Sequence, residues 1–499
     1  MLSLHGLSAI AALGGALALP ALAASPEIAA ARIEVRLDPE AGELAELAGL
    51  RIRGDQMGLL RFAIDPCLTF ETVRSSSPET SVEGRKIGGA IEVRLDPPVS
   101  GEITLTFRIS GRPKCGAAGT LGAAGVALGS TDGWYPSLPG AIAEVDLALT
   151  APADWAVLAT GAPSGAADSA GVRRFRSTVP VAGIAFAGAP GLLVSEAPLV
   201  RERLRVAGPP GAADGRTLAP LFADPFAWLS AALAPYPFDG VNLVFLPGLD
   251  RRVLGSGLVA VPARTEIVGP EDAADLLSGQ WFGERVIGDG AWMEALAAWQ
   301  AVTYAQDRGR PLPREIQRLR EEYLTLDSSR EASLAAPAEG AREAVVRGRG
   351  SAAPDMVRLA TGDRQWLAAV RAMAERPVGS AATLDDLRRA AAGVSGRTPE
   401  AFREWFERAG IPRLRVTFRT APAGSGGYRA DVRIDQPGLV FHLPVDLAFY
   451  GRDGGERRET VELTGDTTAV YYLMDFEPLR LEVDPLGRLF QHAPERLGG

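Results

Sequence analysis

From Ile33 to about Val194 apolar and polar residues alternate in short runs, the period of strands that keep one face in a core and the other in water. Ile33, Val35 and Leu37 alternate with Glu34, Arg36 and Asp38, while Ile103, Leu105, Phe107 and Ile109 alternate with Thr104, Thr106 and Arg108. This predicts an antiparallel β domain over residues 25–200. The heptapeptide IEVRLDP occurs at Ile33 to Pro39 and again at Ile91 to Pro97. Each copy is expected to end a strand, with Asp-Pro as the turn.

Past Gly208-Pro209-Pro210-Gly211 the pattern changes. Leu218 to Leu233 reads as a helix, Val241 to Leu246 as a fully buried strand, and Ala273 to Ala305 as helical. Helical spacing continues through Glu315 to Leu326, Met356 to Met373 and Leu384 to Phe406, and Gly410 and Pro412 end it. A mixed α/β domain that becomes mainly helical is therefore expected over 201–412. Strict alternation returns with Leu414, Val416 and Phe418 and again from Leu439 to Phe449, which predicts a C-terminal β-sandwich over 413–499. The fold class is multidomain α+β.

At 499 residues the chain is long enough for about three domains, taking roughly 150 residues for each. A net charge of −9 argues against a nucleic-acid partner. Lys86 and Lys114 are the only lysines, so positive charge is carried by arginine; we read this as genomic base composition. Arg347-Gly348-Arg349-Gly350 is the nearest approach to a glycine-rich phosphate loop. Ile10 to Leu22 is an apolar run of small residues followed by Ala-Ala-Ser, as in a secretory signal peptide over 1–24. The mature chain is expected to be exported, periplasmic or secreted, with no transmembrane segment, since no later run approaches the roughly 18 apolar residues of a span. In that compartment Cys67 and Cys115 can form a disulfide, two isolated buried thiols being the alternative.

Metal chemistry is poorly provided for. The histidines are His5, His442 and His492, too scattered to form a cluster, and the two cysteines are not spaced as a CxxC pair. Asp275, Glu284, Asp289 and Glu294 fall within twenty residues and offer oxygen donors that suit Ca²⁺ or Mg²⁺ better than zinc. A solvated helix face with capping carboxylates explains them more simply. Ser256 and Ser278 lack a nucleophile elbow and a neighbouring base, so turn and helix roles are expected for them.

Four landmarks occur in order: Gly133-Trp134-Tyr135-Pro136, Pro235-Tyr236-Pro237-Phe238, Gln280-Trp281-Phe282-Gly283 and the run from Phe402 to Pro412. In this order they resemble the aminopeptidase N family of gluzincin zinc metallopeptidases. The resemblance implies a thermolysin-like domain between the two β domains. It also implies a His-Glu-x-x-His helix ahead of Gln280, whose two imidazoles would hold zinc while the Glu acts as general base. Here those three positions read Asp275, Leu276 and Gly279.

The family's further zinc ligand would fall on Ala295 and its transition-state tyrosine on Arg347. Its amine-anchoring GxMEN segment reads Gly255-Ser256-Gly257-Leu258-Val259. What the resemblance implies is a degenerate site with no metal and no cofactor. The expected protein is a non-catalytic peptide-binding or scaffolding relative, its cleft formed by Gly257, Leu258, Gln280 and Arg347, with Arg347 meeting a ligand carboxylate. The alternatives are an active metallopeptidase that holds zinc with non-standard ligands, and a purely structural envelope protein.

Overall fold

The computed structural model describes residues 25–116, 121–165, 168, 171–288, 290–336, 342–393, 400–424, 426–452, 454–493 and 495–496. The expected leader at 1–24 lies outside them. In chain order the N-terminal strands are β1 (Glu27–Asp38), β2 (Glu43–Ala63), β3 (Thr69–Ser75), β4 (Ser81–Ile87) and β5 (Ala90–Gly111). They are followed by β6 (Leu121–Gly122), β7 (Gly125–Leu128), β8 (Val145–Thr150), β9 (Trp155–Ala159), β10 (Ala162–Pro163), β11 (Val172–Ser177) and β12 (Phe186–Pro190). Among the described residues an eight-stranded sheet runs β10-β11-β8-β1-β2-β5-β3 with β4 also on β5, and a four-stranded sheet runs β6-β7-β12-β9. On β1, Ile33, Val35 and Leu37 are buried and Glu34, Arg36 and Asp38 are exposed, as the alternation requires.

One expectation fails here. The first heptapeptide ends β1, but the second does not end a strand, because β5 continues through Asp96 and Pro97 to Gly111. Its neighbour β2 shifts register twice between Gly54 and Leu59, opposite those residues. The missing proline N–H therefore falls where β2 asks for no ladder bond.

β13 (Leu193–Leu199) and β14 (Glu202–Gly208) form a hairpin that spans the boundary expected at 200. With β15 (Val241–Leu246), β16 (Val253–Gly255) and β17 (Leu258–Pro262) they build a sheet in the order β13-β14-β15-β17-β16. β15 runs parallel to both neighbours and all its residues are buried, as expected of a parallel strand covered on both faces. α1 (Gly215–Ala232) makes the crossover, its start capped by Asp214 Oδ1 accepting from Thr217 N at 2.8 Å.

Continuous helix over Ala273 to Ala305 is not what forms. The chain makes α2 (Pro270–Ser278) and α3 (Trp292–Asp307), separated by a turn at Gly283 whose φ is +121°. Next come α4 (Arg314–Leu324) and a π-helical turn, Ala344–Arg349. The helix expected from Met356 to Met373 breaks at Gly362, φ +88°, into α5 (Ala353–Thr361) and α6 (Asp363–Ala374). α7 (Leu384–Ala392) ends at Gly393, and after 394–399, outside the described residues, helix resumes at Glu400–Phe402 and tightens into a second π-turn, Arg403–Glu407. Apolar spacing is blind to these breaks because the glycines sit between turns of correct period.

The C-terminal part has a four-stranded sheet including Arg415–Pro422, Tyr428–Asp435 and Thr467–Met474. A three-stranded sheet of Leu443–Gly451, Glu456–Leu463 and Pro478–Val483 faces it. Its inward side chains, among them Val432, Leu447 and Phe449, belong to the same buried cluster as Trp281, Trp299 and Trp405. No helix among the described residues is long and apolar enough to cross a membrane.

Candidate functional site

A cleft of about 610 Å³ opens between α2, α4, the π-turn at 344–349 and the loops on either side of the β16–β17 hairpin. At its floor is Asp275 of α2, whose side chain is 5% exposed. Arg347 Nη2 donates to both of its carboxylate oxygens at 2.6 Å. Arg252 Nη2 donates to Oδ2 at 2.5 Å, and Arg252 Nη1 to the Asp275 carbonyl at 2.9 Å. Burial alone would raise this carboxyl; the two guanidiniums outweigh it and hold Asp275 down at about 2. Burial lowers Arg252, whereas Arg347 is kept above its ordinary value by Asp275 despite its burial. One anion between two cations leaves a positive excess, and Glu343 Oε1 stands 3.8 Å from Arg347 Nη1 to offset it.

The π-turn sets the direction of Arg347. Gly350 N–H reaches the Val345 carbonyl at 3.0 Å, the wider hydrogen-bond span that defines this turn. A Cβ on Gly348 would stand 2.3 Å from the Leu319 carbonyl oxygen of α4, so the glycine lets the two backbones pack closely. Arg347 therefore enters the cleft while Arg349, fully buried, turns inward. Arg349 donates to the carbonyls of Glu404, Arg408 and Gly410 at 3.2, 2.8 and 3.0 Å. The Arg-Gly-Arg-Gly run is thus a packing and clamping device, and not an anion loop.

The other residues singled out in the sequence lie away from the cleft or line it only with backbone and core atoms. Leu276 is part of the core. Beside Gly279, Leu254 Cδ1 would stand 2.9 Å from an added Cβ, so Leu254 fills the space a side chain there would need. Ala295 is fully buried and lies 2.8 Å from where a Cβ on Gly350 would sit. Gln280 is not a cleft residue: its Oε1 accepts from Gly257 N at 2.8 Å and its Nε2 donates to the carbonyls of Leu258 and Gly255 at 3.2 and 3.3 Å. Gly257, Leu258 and Gln280 form a closed, buried unit behind the site, and of the four expected cleft residues only Arg347 lines the opening.

The four carboxylates do not form a solvated face. Asp275 and Glu284 are buried and Glu294 is exposed, while Asp289 lies outside the described residues. Glu284 accepts from Ser130 Oγ at 2.8 Å and from Ser256 Oγ at 3.3 Å, tying the N-terminal and central parts together. Burial raises it to about 8, against the lowering effect of the two serine hydroxyls. Ser278 Oγ bonds the Asp275 carbonyl at 3.1 Å, a helix role, as Ser256 has a turn role. Cys67 is disulfide-bonded; the Cys115 side chain lies outside the described residues. Sequence reasoning missed Arg252 and Leu254. The Arg251-Arg252 doublet was visible, but nothing local told which of the two would reach α2.

This architecture is the fold of the M1 zinc metallopeptidases. The crystal structure of such an enzyme from Deinococcus radiodurans is similar over 78% of this chain and 94% of its own, with 19% identity and a TM-score of 0.64. A mutant of that enzyme bound to a Tyr-Ser-Ala substrate matches over 78% of this chain and 95% of its own, again with 19% identity and a TM-score of 0.64. A two-domain M1 zinc metallopeptidase mutant bound to L-tryptophan matches over the same shares, with 19% identity and a TM-score of 0.62. No protein-family model matches the chain, and no curated protein matches it.

The residues present do not fit the metal that this fold brings to mind. Catalytic zinc takes imidazole, thiolate and carboxylate donors around one point. Among the described residues no group of three or more His, Cys, Asp or Glu side chains could hold a metal ion. The carboxylate of α2 is already neutralised by guanidinium groups.

Proposed function

We propose that this chain is an exported, peptidase-like protein whose central cleft binds peptides or protein segments without hydrolysing them. The observation that carries this reading is the Arg252–Asp275–Arg347 cluster. On the correspondence drawn from the sequence, Asp275 stands where the first zinc imidazole would be and Arg347 where the tyrosine would be. A guanidinium bound to Asp275 supplies the positive charge that a metal would otherwise bring, so the fold keeps its charge balance there without a Lewis acid. It offers no activated water and no general base, and a lone hydrogen-bond donor leaves most of a hydrolytic barrier standing. The disulfide at Cys67 and the apolar run from Ile10 to Leu22 support export.

Since Arg347 is engaged by Asp275, a ligand carboxylate is better met by Arg251 and Arg264. Both are exposed in the cleft lining and neither has an ion pair with another described residue. The test is a fluorescence-anisotropy screen of peptides against the purified mature chain, run beside a peptidase assay with and without added zinc. Saturable binding that weakens in Arg251→Ala and Arg264→Ala, with no turnover, is expected. Absence of any peptide binding, or hydrolysis abolished by chelator, overturns the reading.

A further inference from the structure

An edge strand exposes unpaired main-chain groups, and charge, proline or brevity normally keeps other chains off it. Charged residues interrupt the edge strands β3, β4 and β13 and the strands Glu456–Leu463 and Pro478–Val483. The remaining edges but one are at most three residues long or, in β9, buried. The exception is Thr467–Met474, which among the described residues pairs with Tyr428–Asp435 alone. Its eight residues, TTAVYYLM, include no charge, no proline and no glycine.

This strand offers both main chain and apolar surface. Tyr471 and Leu473, two positions apart on its outer face, are 59% and 56% exposed, and the Arg429 guanidinium lies over the Tyr471 ring at 4.5 Å. At the open edge the Leu473 carbonyl accepts from Arg457 Nη1 at 2.6 Å. Alternation along the strand puts the main-chain groups of Ala469 and Tyr471 on the same edge.

Charge around the strand is one-sided at its ends. Arg429, Arg433 and Arg457 are each engaged by a carboxylate two positions away, Asp431, Asp435 and Glu459. Asp466 precedes the strand, and Asp475 and Glu477 follow it; all three are exposed, and none forms an ion pair with another described residue. Against these three stands Arg452, in the turn after Gly451, likewise without an ion pair among the described residues. Both ends are left net negative. A second copy of the strand, laid antiparallel in register, would bring the Asp466 end of one chain against the Asp475 end of the other, and like charges set opposite each other are destabilising.

We propose that the Thr467–Met474 edge receives an extended strand of another protein, about as long as itself, with apolar residues at alternate positions and lysine or arginine at both ends. Main-chain bonds along Ala469, Tyr471 and Leu473 hold it, and its apolar side chains lie beside Tyr471 and Leu473. Its basic ends meet Asp466 at one end and Asp475 and Glu477 at the other. Arg457 guards the edge, and an incoming N–H takes its place on the Leu473 carbonyl. The inference is independent of the cleft reading.

The experiment measures anisotropy of labelled peptides with the full chain. Each has a core of alternating threonine and valine matched to the eight residues of the strand, flanked at both ends by lysine pairs or by glutamate pairs. We expect saturable binding of the lysine-flanked peptide that weakens with salt, and binding of the glutamate-flanked peptide weaker by about ten-fold or more. Tyr471→Lys, which places a charge on the edge, and methylation of the peptide's main-chain nitrogens, which leaves its charge alone, should each weaken binding by about ten-fold. Arg457→Ala should tighten it, and Arg251→Ala in the cleft should leave it unchanged. Tyr471 is more than half exposed, so its replacement should not move the circular-dichroism melt. The proposal is overturned if the lysine-flanked peptide does not bind, if the glutamate-flanked or methylated peptide binds as well, or if Tyr471→Lys binds as well as the native chain. Weaker binding by Arg457→Ala, or a native dimer in sedimentation that Tyr471→Lys returns to monomer, overturns it too.

Discussion

Replacing Asp275 with alanine leaves the Arg252 and Arg347 guanidiniums, 19% and 11% exposed, at the floor of the cleft without the anion between them. Removing one partner of a buried ion pair costs about 3–5 kcal/mol. A second route gives a similar size. A carboxyl held at about 2 against an ordinary 3.8 corresponds to about 2 kcal/mol of folding stability. Because the folded value is depressed, that stability is present above pH 3.8 and is lost as the pH falls towards 2. The two guanidiniums keep some contact with water, so we expect Asp275→Ala to cost about 2–4 kcal/mol. In a domain of roughly 200 residues this lowers Tm by about 5–15 °C.

Scanning calorimetry of the purified chain reads the effect. Adding Arg347→Met to Asp275→Ala should restore much of it, because an apolar replacement removes the stranded charge. A loss below about 0.5 kcal/mol for the single variant, the range of an ordinary surface substitution, would refute the claim that this pair organises the cleft floor.

Gln280→Ala strands the Gly257 N–H and the carbonyls of Gly255 and Leu258 in the core and should cost roughly 3 kcal/mol, read by urea unfolding. Gly348→Ala forces its Cβ onto the Leu319 carbonyl oxygen and should destabilise by about 1–3 kcal/mol, read the same way. Glu284 has a folded value raised to about 8 from 4.5, so its favourable effect is complete below pH 4.5 and fades as the pH rises to 8. Glu284→Gln should match the native chain near pH 5 and become more stable than it by on the order of 1 kcal/mol per pH step towards pH 8. A pH-independent difference would contradict the burial argument.

The strands were legible because period-2 alternation reports directly on which face is wet, as on β1 and β5. The four ordered aromatic motifs were legible for a related reason, since they are packing nodes. Trp134 Nε1 donates to the Ile184 carbonyl at 3.0 Å, and Trp281 Nε1 to Ala234 at 2.7 Å. Tyr236 meets the Trp281 ring at 5.5 Å between centroids. Such residues hold the fold together independently of what the cleft does.

The interior of the cleft was less legible. Asp275 could be read as lost donor capacity, but its engagement by Arg252, 23 residues upstream, and Arg347, 72 downstream, depends on a hairpin and a π-turn that no periodicity announces. Gln280 adjoins Asp275's helix in sequence, but the helix ends at Ser278 and the chain there has already turned toward Gly257.

The most direct test is zinc content and zinc titration of the purified full chain, by elemental analysis and calorimetry, with Asp275→Ala alongside. The account predicts no stoichiometric zinc, no saturable heat of binding, and a Tm indifferent to chelator. One zinc per chain, lost in Asp275→Ala and accompanied by chelator-sensitive peptide hydrolysis, would contradict it.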